Sequence, residues 1–358
     1  MSIRIHNPGD TLIERYRVLQ YVNEGGMQQV YLAKDLVFDR EVALKVPKNP
    51  SAEKRFARSA QMSAKVVHAN VAATLDYFEC NSKSYLIEEF IEGHPLSSRL
   101  TDQYHLLDPH LASHLFHNLA RGVAASHHVH VFHRDLKPSN VMVSGDLAMT
   151  TVKVTDFGIA KMAEEEISDA FKDEASTTGS QTVMGALPYM APEMFTAESK
   201  GMPADIWALG AILFQMLTGS LPFGKGLTAV PKILEALVPK QPQIFAVKTQ
   251  FSGLANELWL ILTSCLQRDP SRRPTADELV ALCSKLCYSD AARRDGTIDS
   301  FKDSRRGNWG YICTSNNQRI FFHVDSYYGP DPKKGTRVAF ANFDGAPWTR
   351  AFPVLPLK

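Results

Sequence analysis

Residues 133–140, which read HRDLKPSN, place an acid, a base and an amide within one short loop. Asp135 is suited to accept the proton of a hydroxyl group, Lys137 to neutralise charge on a moving phosphoryl group, and Asn140 to ligate magnesium. A second carboxylate, Asp156, follows Asn140 by 16 residues, directly after a run rich in β-branched residues. These residue types at this spacing predict phosphoryl transfer from a metal-bound nucleotide.

The HRDLKPSN and DFG motifs together resemble the catalytic loop and the magnesium loop of bacterial eukaryotic-like (Hanks-type) Ser/Thr protein kinases. The resemblance covers residues 10–288. It implies an α+β chain with the two-lobed protein kinase fold, the small lobe at about residues 10–92 and the large lobe at about residues 93–288. It also implies an enzyme, a protein serine/threonine kinase that uses ATP and Mg2+ to phosphorylate a protein substrate.

By this resemblance Asp135 and Lys137 are the catalytic residues, and Asn140 and Asp156 are the metal ligands. Lys45 would grip the nucleotide phosphates. The remaining residues assigned to the ATP site are Val22, Gly25, Gly26, Val30, Ala43, Glu89 and Ile91.

The resemblance also implies two contacts that hold the large lobe together. Asp205 would accept hydrogen bonds from the backbone of the catalytic loop, and Arg273 would pair with Glu193.

Several positions depart from the family pattern. Asn23 and Gln28 replace two of the three spaced glycines of the nucleotide loop, which predicts a stiffer or more open lid, because glycine lets backbone N–H groups approach phosphates. Ser59 stands where the family's helix carries the glutamate that pairs with Lys45. Glu88, at the back of the nucleotide pocket, is the candidate substitute partner of Lys45; a shift of one residue in the alignment would instead place it on the solvent side.

These departures, together with Ala186 in place of a threonine, leave an alternative function open. The alternative is a pseudokinase that acts as a scaffold or as an RNA-responsive binding protein with weak or no phosphotransfer. The intact Asp135, Lys137, Asn140 and Asp156 favour catalysis, because a lobe without catalytic duty has no physical need for all four.

The segment between residues 156 and 193 corresponds to a kinase activation loop. Arg134, beside Asp135, belongs to the type of arginine that receives a phosphate from this loop. We therefore expect phosphorylation within the hydroxyl-rich part of the segment to raise activity; the candidate sites are Ser176, Thr177, Thr178, Ser180 and Thr182.

The last part of the chain differs in composition. Residues 291–358 carry 11 Lys and Arg against 6 Asp and Glu, whereas the whole chain has a net charge of +1. Short β-rich runs broken by Asn, Gly and Pro predict a small all-β barrel over residues 294–356. Two of its predicted strands resemble the nucleic-acid-binding strands of an OB-type, cold-shock-like domain.

This resemblance implies that single-stranded RNA or DNA stacks on aromatic side chains of those two strands. The candidate residues are Trp309, Tyr311, Phe321, Phe322 and His323. The alternative is that the same aromatic residues fill the core of the barrel or pack against the kinase domain.

Composition narrows the remaining choices. The five cysteines form no Cys-x-x-Cys pair, so neither a zinc site nor a disulfide framework is indicated. The most apolar run, residues 206–217, is too short to span a bilayer, and no signal peptide is recognised, so we expect a cytoplasmic protein without membrane contact. The helical spacing of His110, His114 and His117 predicts a solvated histidine face rather than a metal site.

Overall fold

Two lobes and a barrel make up the part of the chain described by the computed structural model. The described residues are 4–25, 28–48, 50–157, 185–195, 201–242, 252–302, 307–345 and 348–358.

The small lobe is a six-stranded antiparallel sheet with one helix against it. Its strands follow the order β1-β2-β3-β4-β6-β5. Buried side chains such as Tyr31, Leu44 and Tyr85 form its core. The strands are β1 (Thr11–Leu12), β2 (Tyr16–Glu24), β3 (Gln28–Asp35), β4 (Arg40–Pro47), β5 (Thr74–Cys80) and β6 (Lys83–Glu89), and the helix is α1 (Pro50–Ser63).

The register between β4 and β6 decides which side chains meet. Ala43 lies opposite Glu88, and Lys45 lies opposite Leu86. Because side chains alternate between the two faces of a strand, these four residues share one face of the sheet. Leu86 belongs to the apolar cluster through which Phe56 of α1 packs on that face, so Lys45 and Glu88 lie on the side of the sheet that α1 covers.

The large lobe is mainly helical. Its elements are β7 (His94–Pro95), α2 (Leu96–Ser98), a π-helical turn (Arg99–Gln103), α3 (Pro109–His128), β8 (Val141–Ser144), β9 (Thr151–Val154), α4 (Met202–Thr218), α5 (Val230–Leu234), α6 (Ser252–Cys265) and α7 (Ala276–Cys283). Strands β7, β8 and β9 form a three-stranded sheet beside these helices.

Local sequence signals set the limits of the two central helices. The Asp108 side chain caps α3 by accepting hydrogen bonds from the backbone N–H groups of His110 and Leu111. Helix α4 ends at Gly219, whose φ of +69° and close approach to the His105 carbonyl exclude a side chain. Helix α4 is apolar around most of its circumference, which suits the buried centre of the lobe.

Residues 294–356 contain a closed barrel of five strands. The strands are β10 (Arg294–Lys302), β11 (Trp309–Cys313), β12 (Arg319–His323), β13 (Arg337–Phe343) and β14 (Arg350–Pro356). They follow the order β10-β11-β12-β14-β13 around the barrel, and the β12–β14 pairing is parallel. Apolar side chains that include Ile298, Ile312 and Phe340 fill the interior.

The barrel packs directly against the large lobe. Tyr328, Ala339 and Leu355 are buried within the same apolar cluster as the core of that lobe. Arg293 forms a buried ion pair of 2.7 Å with Asp108, the residue that caps α3.

A second set of contacts joins the barrel strand β14 region to the helices that follow the small lobe. The ammonium group of Lys358 donates hydrogen bonds to the carbonyls of Leu100, at 3.0 Å, and Thr101, at 2.7 Å. The Lys358 backbone N–H donates to the carbonyl of Gln103 at 3.0 Å. Lys358, just after β14, therefore donates the hydrogen bonds that these carbonyls of the π-helical turn accept.

The prediction of a solvated histidine face on α3 is wrong. His110 accepts a hydrogen bond of 3.0 Å from the backbone of Ser289 and packs edge-on against Phe352, with 5.2 Å between ring centres. His117 lies 2.8 Å from the hydroxyl of Tyr288, and burial lowers its pKa to about 4. The linker and the barrel cover this face, so the histidines are interface residues.

Among the described residues, no helix combines the length and the apolar character needed to cross a lipid bilayer.

Candidate active site

The acid, base and amide of residues 133–140 lie in one hydrogen-bonded group. The ammonium of Lys137 lies 2.8 Å and 3.0 Å from the two carboxylate oxygens of Asp135. The side-chain amide of Asn140 donates to the Asp135 carbonyl at 2.8 Å and to its carboxylate at 3.2 Å. The carboxylate of Asp135 is thus oriented from two sides.

Asp205, at the start of α4, holds this loop by its backbone. Its carboxylate accepts hydrogen bonds from the N–H groups of His133, at 2.9 Å, and Arg134, at 2.7 Å, which confirms the contact predicted for Asp205. Burial alone would raise the pKa of Asp205, but hydrogen bonds from His127 and the loop backbone hold it below its usual value. Arg134 adopts a φ of +61°, a conformation that surrounding contacts must enforce in a residue other than glycine.

A second set of contacts brings Asp156 beside the loop. The Thr155 backbone N–H donates to the carbonyl of Asn140 at 2.9 Å, and the His133 imidazole lies 2.9 Å from the carbonyl of Thr155. Asp156 itself has a φ of +61°. The two predicted metal ligands therefore belong to adjoining, mutually bonded segments.

Lys45 lies between two carboxylates, Glu88 of the small lobe and Asp156 of the large lobe, and so connects the two lobes. Its ammonium lies 2.8 Å from Asp156 Oδ1 and 2.5 Å from Glu88 Oε2. Lys45 is 5% exposed and Glu88 3%. The alternative placement of Glu88 on the solvent side is therefore wrong.

The electrostatics of this group follow from burial and from the central cation. Burial would lower the pKa of Lys45, but the carboxylates of Asp156 and Glu88 raise it above its ordinary value. Burial raises the pKa of Glu88, and Lys45 offsets only part of that rise. For Asp156, the attraction of Lys45 and the hydrogen bond from Gln28 outweigh burial and lower its pKa.

Gln28 contacts the site directly, and the expectation of a stiffer or more open lid stays a prediction. Its side chain is buried, and its amide nitrogen donates to Asp156 Oδ1 at 2.8 Å. Its amide oxygen is also buried and has no hydrogen-bond partner among the described residues. Where the family has a glycine, this chain thus extends a polar side chain onto a predicted metal ligand.

Helix α1 contacts the same segment through Ser59, which is buried. The Ser59 hydroxyl donates to the carbonyl of Phe157 at 3.0 Å. Sequence reasoning identified Ser59 only as a missing glutamate. The residue type is the signal for this contact, because a buried hydroxyl on a helix requires an acceptor.

The other residues assigned to the ATP site lie on or just after β2, β3, β4 and β6. Ala43 is buried on the face that carries Lys45. The Glu89 carboxylate forms an ion pair of 2.8 Å with Lys153. Val22, Gly25, Val30 and Ile91 are within the described residues, whereas Gly26 lies outside them.

The activation segment is described only at its two ends. Ser176, Thr177, Thr178, Ser180 and Thr182, the candidate phosphorylation sites, all lie outside the described residues. At the far end, Ala186 is buried. Glu193 and Arg273 form the predicted pair through two contacts of 2.6 Å and 2.8 Å.

The donor set suits magnesium held together with a nucleotide. Asn140 and Asp156 offer an amide oxygen and a carboxylate, and Mg2+ prefers oxygen ligands and takes few of them from protein when phosphates supply the rest. Among the described residues, no group of three or more His, Cys, Asp or Glu side chains is arranged to hold a metal ion. The residues therefore fit a shared site rather than a closed protein cage.

The barrel places four of its five candidate residues on one face. Trp309 lies opposite His323 across the β11–β12 pair, and Tyr311 lies opposite Phe321. Three cations approach the rings of this aromatic face: Lys302 over Trp309 at 5.1 Å, Arg319 over Tyr311 at 4.6 Å and Arg350 over Phe321 at 6.0 Å.

The assignment of Phe322 to this face is wrong. Phe322 is 0% exposed and belongs to the barrel core, where its ring lies 6.1 Å from that of Phe301. Neighbouring residues of a strand point to opposite faces, so Phe322 points inward because Phe321 points outward.

Comparisons with known proteins agree with this architecture. The serine/threonine-protein kinase PrkC of Bacillus subtilis is 31% identical over 279 residues, which cover 76% of this chain and 40% of PrkC. The probable serine/threonine-protein kinase PknB of Lactococcus lactis is 34% identical over 242 residues, covering 66% of this chain and 36% of PknB. The chain thus spans less than half the length of either relative.

A solved structure supports the fold. The crystal structure of Rad53 residues 1–466 in complex with AMP-PNP matches with a TM-score of 0.57 at 21% identity, covering 75% of this chain and 64% of that one. The predicted kinase fold, with its β-rich small lobe and helical large lobe, is confirmed. The protein kinase domain profile matches residues 16–282, and the chain belongs to the protein kinase family.

Proposed function

We propose that this chain transfers the terminal phosphoryl group of ATP to serine or threonine hydroxyls of proteins. The observation that carries the proposal is the Asp135 carboxylate held by both Lys137 and Asn140. Together with Asp156, which lies against Lys45, these residues supply the proton acceptor, the metal ligands and the phosphate-binding cation that phosphoryl transfer requires.

Each residue has a distinct task. Asp135 accepts a hydrogen bond from the substrate hydroxyl, orients its oxygen towards the phosphoryl group and takes up its proton. Lys137 holds the Asp135 carboxylate in place through their ion pair and places positive charge where negative charge develops. Lys45 binds the nucleotide phosphates, while Asn140 and Asp156 would hold Mg2+, which neutralises phosphate charge when bound.

The test is transfer of labelled phosphate from ATP with Mg2+ to the chain itself and to a generic Ser/Thr-containing protein. The wild-type chain is expected to label both, and chelation of the metal with EDTA should stop the reaction. The Asp135→Asn variant controls for a co-purified kinase. ATP binding without any transfer by the wild-type chain would contradict the proposal and support the pseudokinase alternative.

We propose as a second function that the barrel, over residues 294–356, is an OB-type, cold-shock-like module that binds single-stranded RNA or DNA. The favouring observation is the aromatic face of Trp309, Tyr311 and Phe321 with a cation near each ring. Aromatic rings stack on bases and cations attract phosphates, which is the pairing that single strands need. The strand order, with the third and fifth strands parallel, supports the OB assignment.

Replacing one ring tests this second function. Tyr311→Ala should weaken binding of a mixed-sequence single strand about tenfold, because each stacked base contributes roughly 1–3 kcal/mol. Fluorescence anisotropy with the full chain measures the effect. Phe38→Ala, which removes an exposed aromatic ring from the small lobe, is the matched control.

Salt provides an independent check on the same complex. Affinity should fall as the salt concentration rises, because binding releases counterions from the phosphates. A single strand that does not bind the wild-type chain at low salt, or that binds Tyr311→Ala equally well, would contradict the second function.

A further inference from the structure

We propose that Glu88, a residue of the sheet, is the positioning residue for Lys45, so that the placement of Lys45 does not depend on helix α1. The inference rests on the proposed function, in which Lys45 binds the nucleotide phosphates. It deepens that function by naming what holds the phosphate-binding cation in place.

Among the described residues, the ionic partners of Lys45 belong to the sheet and to the segment of Asp156. Glu88 Oε2 lies 2.5 Å from the Lys45 ammonium, and Asp156 Oδ1 lies 2.8 Å from it. Strands β4 and β6 are direct neighbours, and Glu88 lies diagonally across from Lys45 on the same face. Ala43, opposite Glu88, has a small side chain, which leaves room for the Glu88 carboxylate to reach the Lys45 ammonium.

Helix α1 has no carboxylate to spare for this role. Its sequence, PSAEKRFARSAQMS, contains a single acidic residue, Glu53. The Glu53 carboxylate accepts a hydrogen bond from the backbone N–H of Ser84, at the outer end of β6. Ser59 is neutral, and its hydroxyl donates to the carbonyl of Phe157.

Burial makes a counter-charge for Lys45 obligatory. An ammonium group removed from water is stable only when paired with a carboxylate and hydrogen-bonded to it. Glu88 is equally buried, so each of the two residues supplies the charge that the other requires. A partner on a neighbouring strand is fixed by the backbone ladder, whereas a partner on a helix moves whenever the helix moves.

Two consequences follow for the site. Glu88 attracts the Lys45 ammonium towards β6, and this attraction opposes the pull of Asp156 on the same ammonium. Without Glu88, Asp156 is the carboxylate that remains beside Lys45 among the described residues. A tight Lys45–Asp156 pair would make both the phosphate-binding cation and a metal ligand less available to the nucleotide. Helix α1 remains attached to the segment of Asp156 through Ser59, but it does not set the position of Lys45.

The primary experiment measures the Kd for ATP with Mg2+ by calorimetry in Glu88→Gln, which keeps the shape of the side chain and removes its charge. We expect the Kd to rise about tenfold, the effect of losing one charged hydrogen bond. Glu41→Gln makes the same chemical change at an exposed position of β4 and should leave the Kd as in the wild type. An unchanged Kd in a folded Glu88→Gln variant would overturn the inference.

A relocation experiment separates positioning from simple structural support. Glu88→Met alone should bind ATP weakly, and adding Ser59→Glu should recover part of the affinity by returning the carboxylate to α1. Thermal melting of each variant shows whether it is folded. If the double variant binds no better than Glu88→Met although it melts like the wild type, the carboxylate does not act by positioning Lys45.

Calorimetry also keeps this inference distinct from the proposed function, because binding does not require transfer. Should the wild-type chain bind ATP without transferring phosphate, the proposed function fails while the Kd comparison still decides the role of Glu88. Should transfer be efficient and Glu88→Gln bind normally, only the role of Glu88 is overturned.

Discussion

The two walls of the cleft between the lobes differ in how closely they follow the family pattern. The large-lobe wall keeps every motif residue of the segment 133–140, and the contacts within it are short. The small-lobe wall departs at Gln28, Ser59 and Glu88. Gln28 and Ser59 bond to the large-lobe segment of residues 156–157, whereas Glu88 pairs with Lys45 of the small lobe itself. The departures are therefore local replacements of contacts rather than a general loss of structure.

The difference reflects what each wall must do. Proton acceptance and charge neutralisation at the transferring group require particular functional groups at particular atoms, and a substitution there removes a role outright. Holding a phosphate-binding cation requires only a counter-charge at the right distance, which more than one position of the fold can supply. The small-lobe wall can thus change residues that hold Lys45, whereas the residues of the segment 133–140 cannot be replaced in this way.

The largest expected effect is at the large-lobe wall. Asp135→Asn removes the proton acceptor but keeps the size of the side chain, so the rate of phosphate transfer should fall by about 10² to 10⁴. The Kd for ATP should change by less than about twofold, because in the proposed function Asp135 contacts the substrate hydroxyl and not the nucleotide. Single-turnover transfer and calorimetry measure the two effects.

Asp39→Asn makes the same change at an exposed turn of the small lobe and is the matched control. A transfer rate in Asp135→Asn close to that of Asp39→Asn would contradict the difference between the two walls, since the large-lobe wall would then tolerate substitution as well as the small-lobe wall does.

An intermediate effect is expected at Gln28. Its amide competes for the Asp156 oxygen that we assign to the metal, so Gln28→Gly should lower the Kd for ATP with Mg2+ by about tenfold, the lower end of the scale of one hydrogen bond to a charged group. Gln20→Gly, at an exposed position of β2, controls for the effect of glycine in a strand. Weaker binding in Gln28→Gly would show that the side chain supports the nucleotide instead of competing with it.

The smallest effect is expected at Ser59. Ser59→Ala removes the hydrogen bond to the Phe157 carbonyl, which should cost about 1 kcal/mol and lower Tm by about 2–4 °C. The Kd for ATP should remain within about twofold of the wild-type value. A change in Kd as large as that of Glu88→Gln would mean that α1 does control the position of Lys45. The small-lobe wall would then depend on its helix, as in the family pattern.

The sequence allowed accurate prediction where the partners belong to recognisable motifs. The resemblance implied that Asp205 accepts hydrogen bonds from the catalytic-loop backbone and that Arg273 pairs with Glu193, and both contacts are confirmed. The kinase fold itself follows from the same motifs and their spacing.

Prediction failed where a side chain had a choice of direction or a distant partner. Gln28 bonds to Asp156, 128 positions away, and no local pattern indicates that contact. The histidines of α3 are covered by the linker and the barrel, and helical periodicity alone does not reveal that other segments pack on that face. Phe322 is a different case, because strand alternation allows only one of Phe321 and Phe322 to face outward.

The contact between Lys358 and the carbonyl of Leu100 joins residues 258 positions apart in the chain. At about 5–20 residues per second, a ribosome needs roughly 10 to 50 seconds to add that length. During this interval the π-helical turn lacks its donors, and the Asp108 carboxylate lacks Arg293. The large lobe therefore leaves the ribosome with a surface whose hydrogen-bond and charge partners are synthesised only later, as part of the barrel.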